Sequence, residues 1–170
     1  MMTPWRFADG RLIGWRLDAA AHAGTWDSGI GAETWGGRWN PKGTRVVYAS
    51  ADPSTAILEV AVHKGFAALD TTPHTLTAFV VKDGKHVATI DPGDVPNPAW
   101  LWPGTPSAGQ KSYGGEMLAK QPFLLIPSAV SSHSWNLLFR PDVAAGKYEV
   151  LLQERFALDT RLNAHPPKRP

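Results

Sequence analysis

Between Pro53 and Gly65 the apolar residues Ile57, Leu58, Ala61 and Val62 recur at spacings of one, four and five, which predicts an amphipathic helix with that stripe as its core face. Asp52 suits its N-cap, Pro53 its first position and Gly65 its end. Glu59 lies well off the stripe, near Ala56 and His63, so it faces either water or a cleft. Upstream, Thr44–Ala49 reads as a short strand in which Val46, Tyr48 and Ser50 point one way and Val47 and Ala49 the other.

The remaining pattern is one of short strands. Trp15–Leu17, Phe123–Ile126, Asn136–Phe139 and Tyr148–Leu152 are apolar runs of strand length, and a short helix is expected over Tyr113–Lys120. Thr75–Val81 and Lys85–Ile90 flank Asp83-Gly84, a hairpin signal. Ala19–Trp35 shows no periodicity and reads as loop, and Asp91–Gly109, with five prolines, reads as a long loop of the kind that tends to be functional. Many strands and one good helix predict a single α+β domain on a mixed or antiparallel sheet.

Composition narrows the function more than the fold. The 170 residues are 43% hydrophobic and 19% charged, which excludes a disordered chain. The net charge is +2 and the basic residues are scattered, so direct nucleic-acid binding is not expected. There is no cysteine and the six histidines show no ligand spacing, so no metal is expected. Met1–Gly10 does not resemble a secretory signal and no run approaches the roughly 20 apolar residues that span a bilayer, so a cytoplasmic protein without membrane contact is expected. The eight tryptophans either pack beneath loops or line a pocket, and a sugar-binding platform belongs among the readings.

Chemistry concentrates around the central strand and helix. The glycine-rich turn before them carries Arg38, Trp39 and Asn40, the strand carries Tyr48 and the helix carries Glu59. Arg16, set among apolar residues, needs an anionic partner or ligand if it points inward. Each has a structural alternative: Arg38 pairing with Glu33 or Asp27, Arg16 in an ion pair, Tyr48 in the core with its hydroxyl satisfied, and Ser128 as a turn residue after Pro127.

Taken together, Gly36-Gly37-Arg38-Trp39-Asn40-Pro41-x-Gly43, Val47-Tyr48-Ala49-Ser50, Ala56-x-Leu58-Glu59-Val60 and Ile126-Pro127-Ser128 resemble the RES domain family, named for an arginine, a glutamate and a serine. Asn136-Leu-Leu and Leu158-Asp-Thr-Arg-Leu162 look like further family segments, so the likeness runs from about Trp15 to Leu162 within a domain expected over residues 1–162, with 163–170 as a flexible tail. The resemblance implies an ADP-ribosyltransferase-like fold and a toxin of a bacterial toxin–antitoxin pair, silenced by an antitoxin with an Xre-type helix-turn-helix. It implies NAD⁺ as substrate, cleaved at the nicotinamide–ribose bond by phosphorolysis or hydrolysis, or used to ADP-ribosylate a cellular protein. A catalytically idle binding module is the reading outside enzymes.

On that resemblance Glu59, Arg38, Tyr48 and Ser128 are the expected catalytic set, and Arg16, Arg38, Trp39, Asn40, Tyr48 and Ser128 the expected NAD⁺ contacts. Arg38 or Arg16 offers a fork for the pyrophosphate, and Tyr48, with Trp39 as a second wall, offers rings for the nicotinamide. Glu59 stabilises the cationic ribose, and Ser128 binds ribose or the carboxamide.

Overall fold

The computed structural model describes residues 11–159 and residue 161. The expectations for Met1–Gly10 and for the tail beyond Leu162 concern residues outside these. The elements run β1 (Leu12–Ala19), α1 (Ile30–Trp35), β2 (Val47–Ser50), α2 (Pro53–Lys64), α3 (Phe66–Thr71), β3 (His74–Val81), β4 (Val87–Thr89), α4 (Ala108–Lys120), β5 (Phe123–Pro127), β6 (Trp135–Phe139), α5 (Pro141–Ala144) and β7 (Tyr148–Phe156).

The strands form one mixed seven-stranded sheet in the order β4-β5-β6-β2-β1-β3-β7, as expected of an α+β domain. All pairs are antiparallel except β4 with β5. The sheet has a seam. β1 pairs with β3 over its whole length, but with β2 at one position alone, Trp15 opposite Ser50. Two halves, β4-β5-β6-β2 and β1-β3-β7, therefore meet at a single register pair.

One face of the sheet buries an aromatic core in which Trp26, Phe79, Phe123, Trp135, Phe139 and half-buried Tyr148 pack with Leu12, Val47 and Leu137. The other face carries two separate apolar patches. Under α4 and the proline-rich loop lie Trp39, Val46, Leu118, Leu124, Ile126 and Leu138; under α2 and α3 lie Leu17, Ala61, Leu69 and Leu76, with Trp15, Ile57 and Val60 at the margin.

A row of directly opposed residues crosses that face from Ile126 to Asn136, Ser50 and Trp15. Its ends belong to the two patches and its middle is polar. Cross-strand partners share a face, so the register itself leaves an asparagine and a serine between two greasy surfaces.

Several expectations are corrected. Thr75–Val81 and Lys85–Ile90 do not form a hairpin: both edges of β3 are taken by β1 and β7, and β4 pairs with β5 instead. The Asp83 side chain accepts from the Lys85 N–H and opens a 3-10 turn, Gly84–His86, in place of a two-residue hairpin loop. Ala19–Trp35 is not plain loop, because a 3-10 helix spans Ala20–Thr25 and α1 follows. Neither buries a residue, so neither leaves an apolar period to read.

The helix α4 starts at Ala108 under a Ser107 cap rather than at Tyr113. In α2 the inward stripe is rotated by one residue. Ala56, Ile57, Val60 and Ala61 face the sheet while Val62 is exposed, and Glu59 stands one turn above buried Thr55.

Candidate active site

Glu59 reaches the polar middle of the sheet row. Its Oε1 accepts from Asn136 Nδ2 at 2.6 Å and from Ser128 Oγ at 2.9 Å. Asn136 Oδ1 in turn accepts from Ser50 Oγ at 3.0 Å. Ser50, Ser128 and Asn136 are all buried, so these bonds are made away from competing water. Among the described residues Glu59 Oε2 receives no hydrogen bond and no cation pairs with the carboxylate. One oxygen is thus fixed by two neutral donors, while the other has no such donor among the described residues.

Ser128 is held as firmly. Its hydroxyl oxygen accepts the N–H groups of Val130 and Ser131 at 3.1 and 3.0 Å, which leaves its hydrogen directed at Glu59. The residue therefore orients the carboxylate. It follows Pro127, the last residue of β5, close to Asn136 on β6.

The turn before β2 is built around Asn40, which is wholly buried. Its Nδ2 lies within hydrogen-bond distance of the Ala32, Pro41 and Thr44 carbonyls, and its Oδ1 accepts from Tyr48 Oη at 2.7 Å. Tyr48 Oη also accepts the Trp39 N–H at 2.9 Å. Burial pushes the Tyr48 phenol well above its ordinary range, against the opposing pull of the Trp39 N–H and the Arg38 charge, and the Glu59 charge pushes it further up. It is a neutral hydroxyl that donates to Asn40.

Asn40 and Trp39, both expected at the ligand, are thus scaffold: neither leaves surface for a ligand, and Trp39 packs edge-on against Trp100. For Tyr48 the hydroxyl is used internally and only the half-buried ring remains. Tyr48→Phe keeps that ring but strands Asn40 Oδ1 and the Trp39 N–H, so it should cost about 1–3 kcal/mol in urea unfolding, while the ligand KM stays near wild type.

Arg38 does not pair with Glu33 or Asp27, which bind Arg45 and Tyr148. Its guanidinium spans the proline-rich loop, with Nη1 at 3.3 and 3.2 Å from the Trp100 and Trp102 carbonyls and Nη2 at 3.0 Å from that of Gly104. Carbonyl acceptors leave its positive charge uncompensated. Arg16 takes the structural alternative in part. It forms an ion pair with Asp18 at 2.6 Å and donates to the Tyr48 carbonyl at 2.7 Å across the seam, while its buried Nε has no hydrogen-bond partner among the described residues.

Asn136 was the residue missed. A polar side chain inside Trp135-Asn136-Leu137-Leu138-Phe139 must find a buried partner or lose stability, and that was the available signal. Asp52, Thr55 and Ser134 form a second cluster one turn before Glu59. Two open depressions, of about 530 Å³ beside Pro73 and Arg155 and about 330 Å³ between Arg45 and Arg140, do not include Glu59.

The RES domain family model matches residues 13–159. The chain is 33% identical over 135 residues to the "Prs ADP-ribosylating toxin" of a Sphingobium strain, covering 75% of this chain and 81% of that protein. It is also 33% identical over 126 residues to a "Toxin Res" of Yersinia enterocolitica, covering 70% and 76%. A third relative, a "Toxin Res" of Pseudomonas putida, is 30% identical over 153 residues, covering 89% of this chain and 99% of that one. In fold the chain resembles a chain of the crystal structure of the M. tuberculosis MbcT–MbcA toxin–antitoxin complex, with a TM-score of 0.67 at 18% identity over 86% of this chain and 85% of that chain.

Proposed function

This chain belongs to the RES domain family, and from that membership together with the geometry at Glu59 we propose that it is a toxin that consumes NAD⁺ by breaking the nicotinamide–ribose bond. The observation that carries the reading is the carboxylate with one oxygen braced by Asn136 and Ser128 and the other unengaged.

Departure of nicotinamide leaves positive charge on the ribose ring carbon and oxygen. A fixed anion beside them stabilises the transition state more than the ground state, which is what lowers a barrier. Because neutral donors hold Oε1, Glu59 keeps its charge for the ribose rather than spending it on a lysine or arginine. The nicotinamide leaves as a neutral base, and the electrophilic ribose carbon is taken by phosphate, water or a protein side chain.

With Nη1 and one Nη2 hydrogen on loop carbonyls, Arg38 offers an anion its Nε–H, its second Nη2 hydrogen and its charge. Lysine cannot span three carbonyls and offers one point charge where the guanidinium offers a planar pair. Arg38→Lys is expected to raise the Kd for NAD⁺ about tenfold, within the range of charge-assisted hydrogen bonds; an unchanged Kd by calorimetry removes Arg38 from the substrate.

Proton NMR of NAD⁺ with the purified protein, with and without phosphate, tests the reaction. Nicotinamide release is expected, and phosphate dependence with ADP-ribose-1″-phosphate as co-product would name phosphorolysis. Intact NAD⁺ with protein alone, but nicotinamide release on adding cell lysate, would instead identify transfer to a protein. That second reading draws on the similarity to an ADP-ribosylating toxin.

The similarities to Res toxins and to a toxin–antitoxin complex support an antitoxin as partner, which on this reading carries a helix-turn-helix and covers the site. Among the described residues no helix is long and apolar enough to cross a membrane.

A further inference from the structure

Asp52 does more than cap a helix. Its Oδ1 accepts the Thr55 N–H at 2.8 Å, the ordinary N-cap bond, but its Oδ2 accepts two hydroxyls, Thr55 Oγ1 at 2.7 Å and Ser134 Oγ at 2.6 Å. Thr55 Oγ1 and Ser134 Oγ are themselves 2.7 Å apart, so the three groups form one tight cluster in which two hydroxyl hydrogens serve three short contacts.

Ser134 ends the loop that begins at Ser128, and the two are joined by the Ser128 N–H to the Ser134 carbonyl at 2.9 Å. The loop is therefore fastened to the first turn of α2 at Asp52 and to its second turn where Ser128 meets Glu59. The far end of the loop is strained, since His133 has φ 68°, a conformation that a residue with a side chain adopts at a cost. Something must hold the loop in that shape.

We infer that Asp52 is a positioning residue: by holding Ser134 it fixes the Ser128–Ser134 loop in the register that aims the Ser128 hydroxyl at Glu59. The catalytic part of this inference rests on the NAD⁺-cleaving reading; the anchoring part does not. Burial works to raise the Asp52 carboxyl, but hydrogen bonds from Ser134, Thr55 and the Ser54 N–H outweigh it and hold the group below its usual value. Its folded pKa is depressed, so the anchor is intact at neutral pH and is lost as pH falls through that value.

Asp52→Asn separates anchor from cap. Asparagine caps as well as aspartate, but its amide nitrogen can only donate to the two hydroxyls, so the charge-assisted bonds that hold Ser134 give way to weaker neutral ones. The variant should stay folded, with its melting temperature lowered modestly because the charge that the hydroxyls stabilise is gone. Two readouts should move: kcat should fall roughly tenfold at an unchanged KM for NAD⁺, within the roughly hundredfold that a misplacement of about 1 Å costs, and the Val130 and Ser131 amides should exchange faster with deuterium. Ser134→Ala should reproduce both effects, Ser134→Thr should spare them, and the double variant should be no worse than either single one because they share one contact.

Unchanged exchange at Val130 and Ser131 in both Asp52→Asn and Ser134→Ala overturns the anchor. Unchanged kcat in those variants, where the wild type turns over NAD⁺, overturns its catalytic part. A wild type that releases no nicotinamide, with or without lysate, sinks the NAD⁺ reading instead, and the exchange comparison then decides the anchor alone.

Discussion

Glu59→Gln should lower nicotinamide release on the order of 10³-fold, the scale reached when a preorganised electrostatic group is removed from a transition state, and leave thermal unfolding within a few degrees of wild type. The reason lies in which oxygen is used. Glutamine keeps a carbonyl oxygen where Oε1 accepts from Asn136 and Ser128, so the buried donors stay satisfied. What changes is the other atom, where an unengaged anionic oxygen becomes a neutral amide with a positive edge facing the nascent cation. Loss of activity with loss of fold would point to Glu59 as structural, whereas full turnover would sink the mechanism.

Gly114→Ala is expected to be the most damaging single methyl in the described residues around the site, costing about 1–3 kcal/mol or somewhat more by overpacking. A Cβ there would lie 2.8 Å from Trp39 Cα and 2.7 Å from Trp39 Cβ, and nearer still to the Trp39 carbonyl oxygen. Alanine would improve helix propensity by about 1 kcal/mol, so the net sign tests packing against propensity. The collision is with main chain, which cannot swing aside as a flexible side chain does. Urea unfolding measures the change, and stabilisation would mean that α4 slides off the Arg38 turn without penalty. Gly37 is confined by side chains instead, since a Cβ there would meet Asn40 Oδ1 at 2.7 Å and Tyr48 Oη closer still, both fixed by their mutual hydrogen bond.

Much of the site was legible from residue order because it is built locally. The turn, strand and helix from Gly36 to Glu59 are contiguous, Asp52, Pro53 and Gly65 punctuate the helix, and the alternation of Val46, Tyr48 and Ser50 against Val47 and Ala49 matches the two faces found. What the order of residues hides is set by distant pairing. Asn136 lies 77 residues from Glu59, and it opposes Ser50 because β6 folds against β2.

The Asp83-Gly84 signal misled for a related reason. A turn propensity acts over a few residues, whereas the partner of β4 is decided by which strand edges remain free. The rotation of the α2 stripe is subtler. Thr55 and Ala56 are small enough to approach the sheet, and Thr55 is drawn inward by Asp52 and Ser134, which a count of apolar spacings does not weigh.

The junction of β1 and β2 gives the molecule a mechanical property. A sheet fully laddered across all its strands resists shear and bending, because every displacement breaks many hydrogen bonds at once. Here the two halves share one opposed pair, Trp15 and Ser50, reinforced by the Arg16 bond to the Tyr48 carbonyl. At roughly 1 kcal/mol net per hydrogen bond, this line is the most compliant in the sheet, and it runs beside Ser50, which itself binds Asn136. What ties the two halves across that line is the aromatic core beneath, where Phe79 and Tyr148 of one half meet Phe139 and Phe123 of the other.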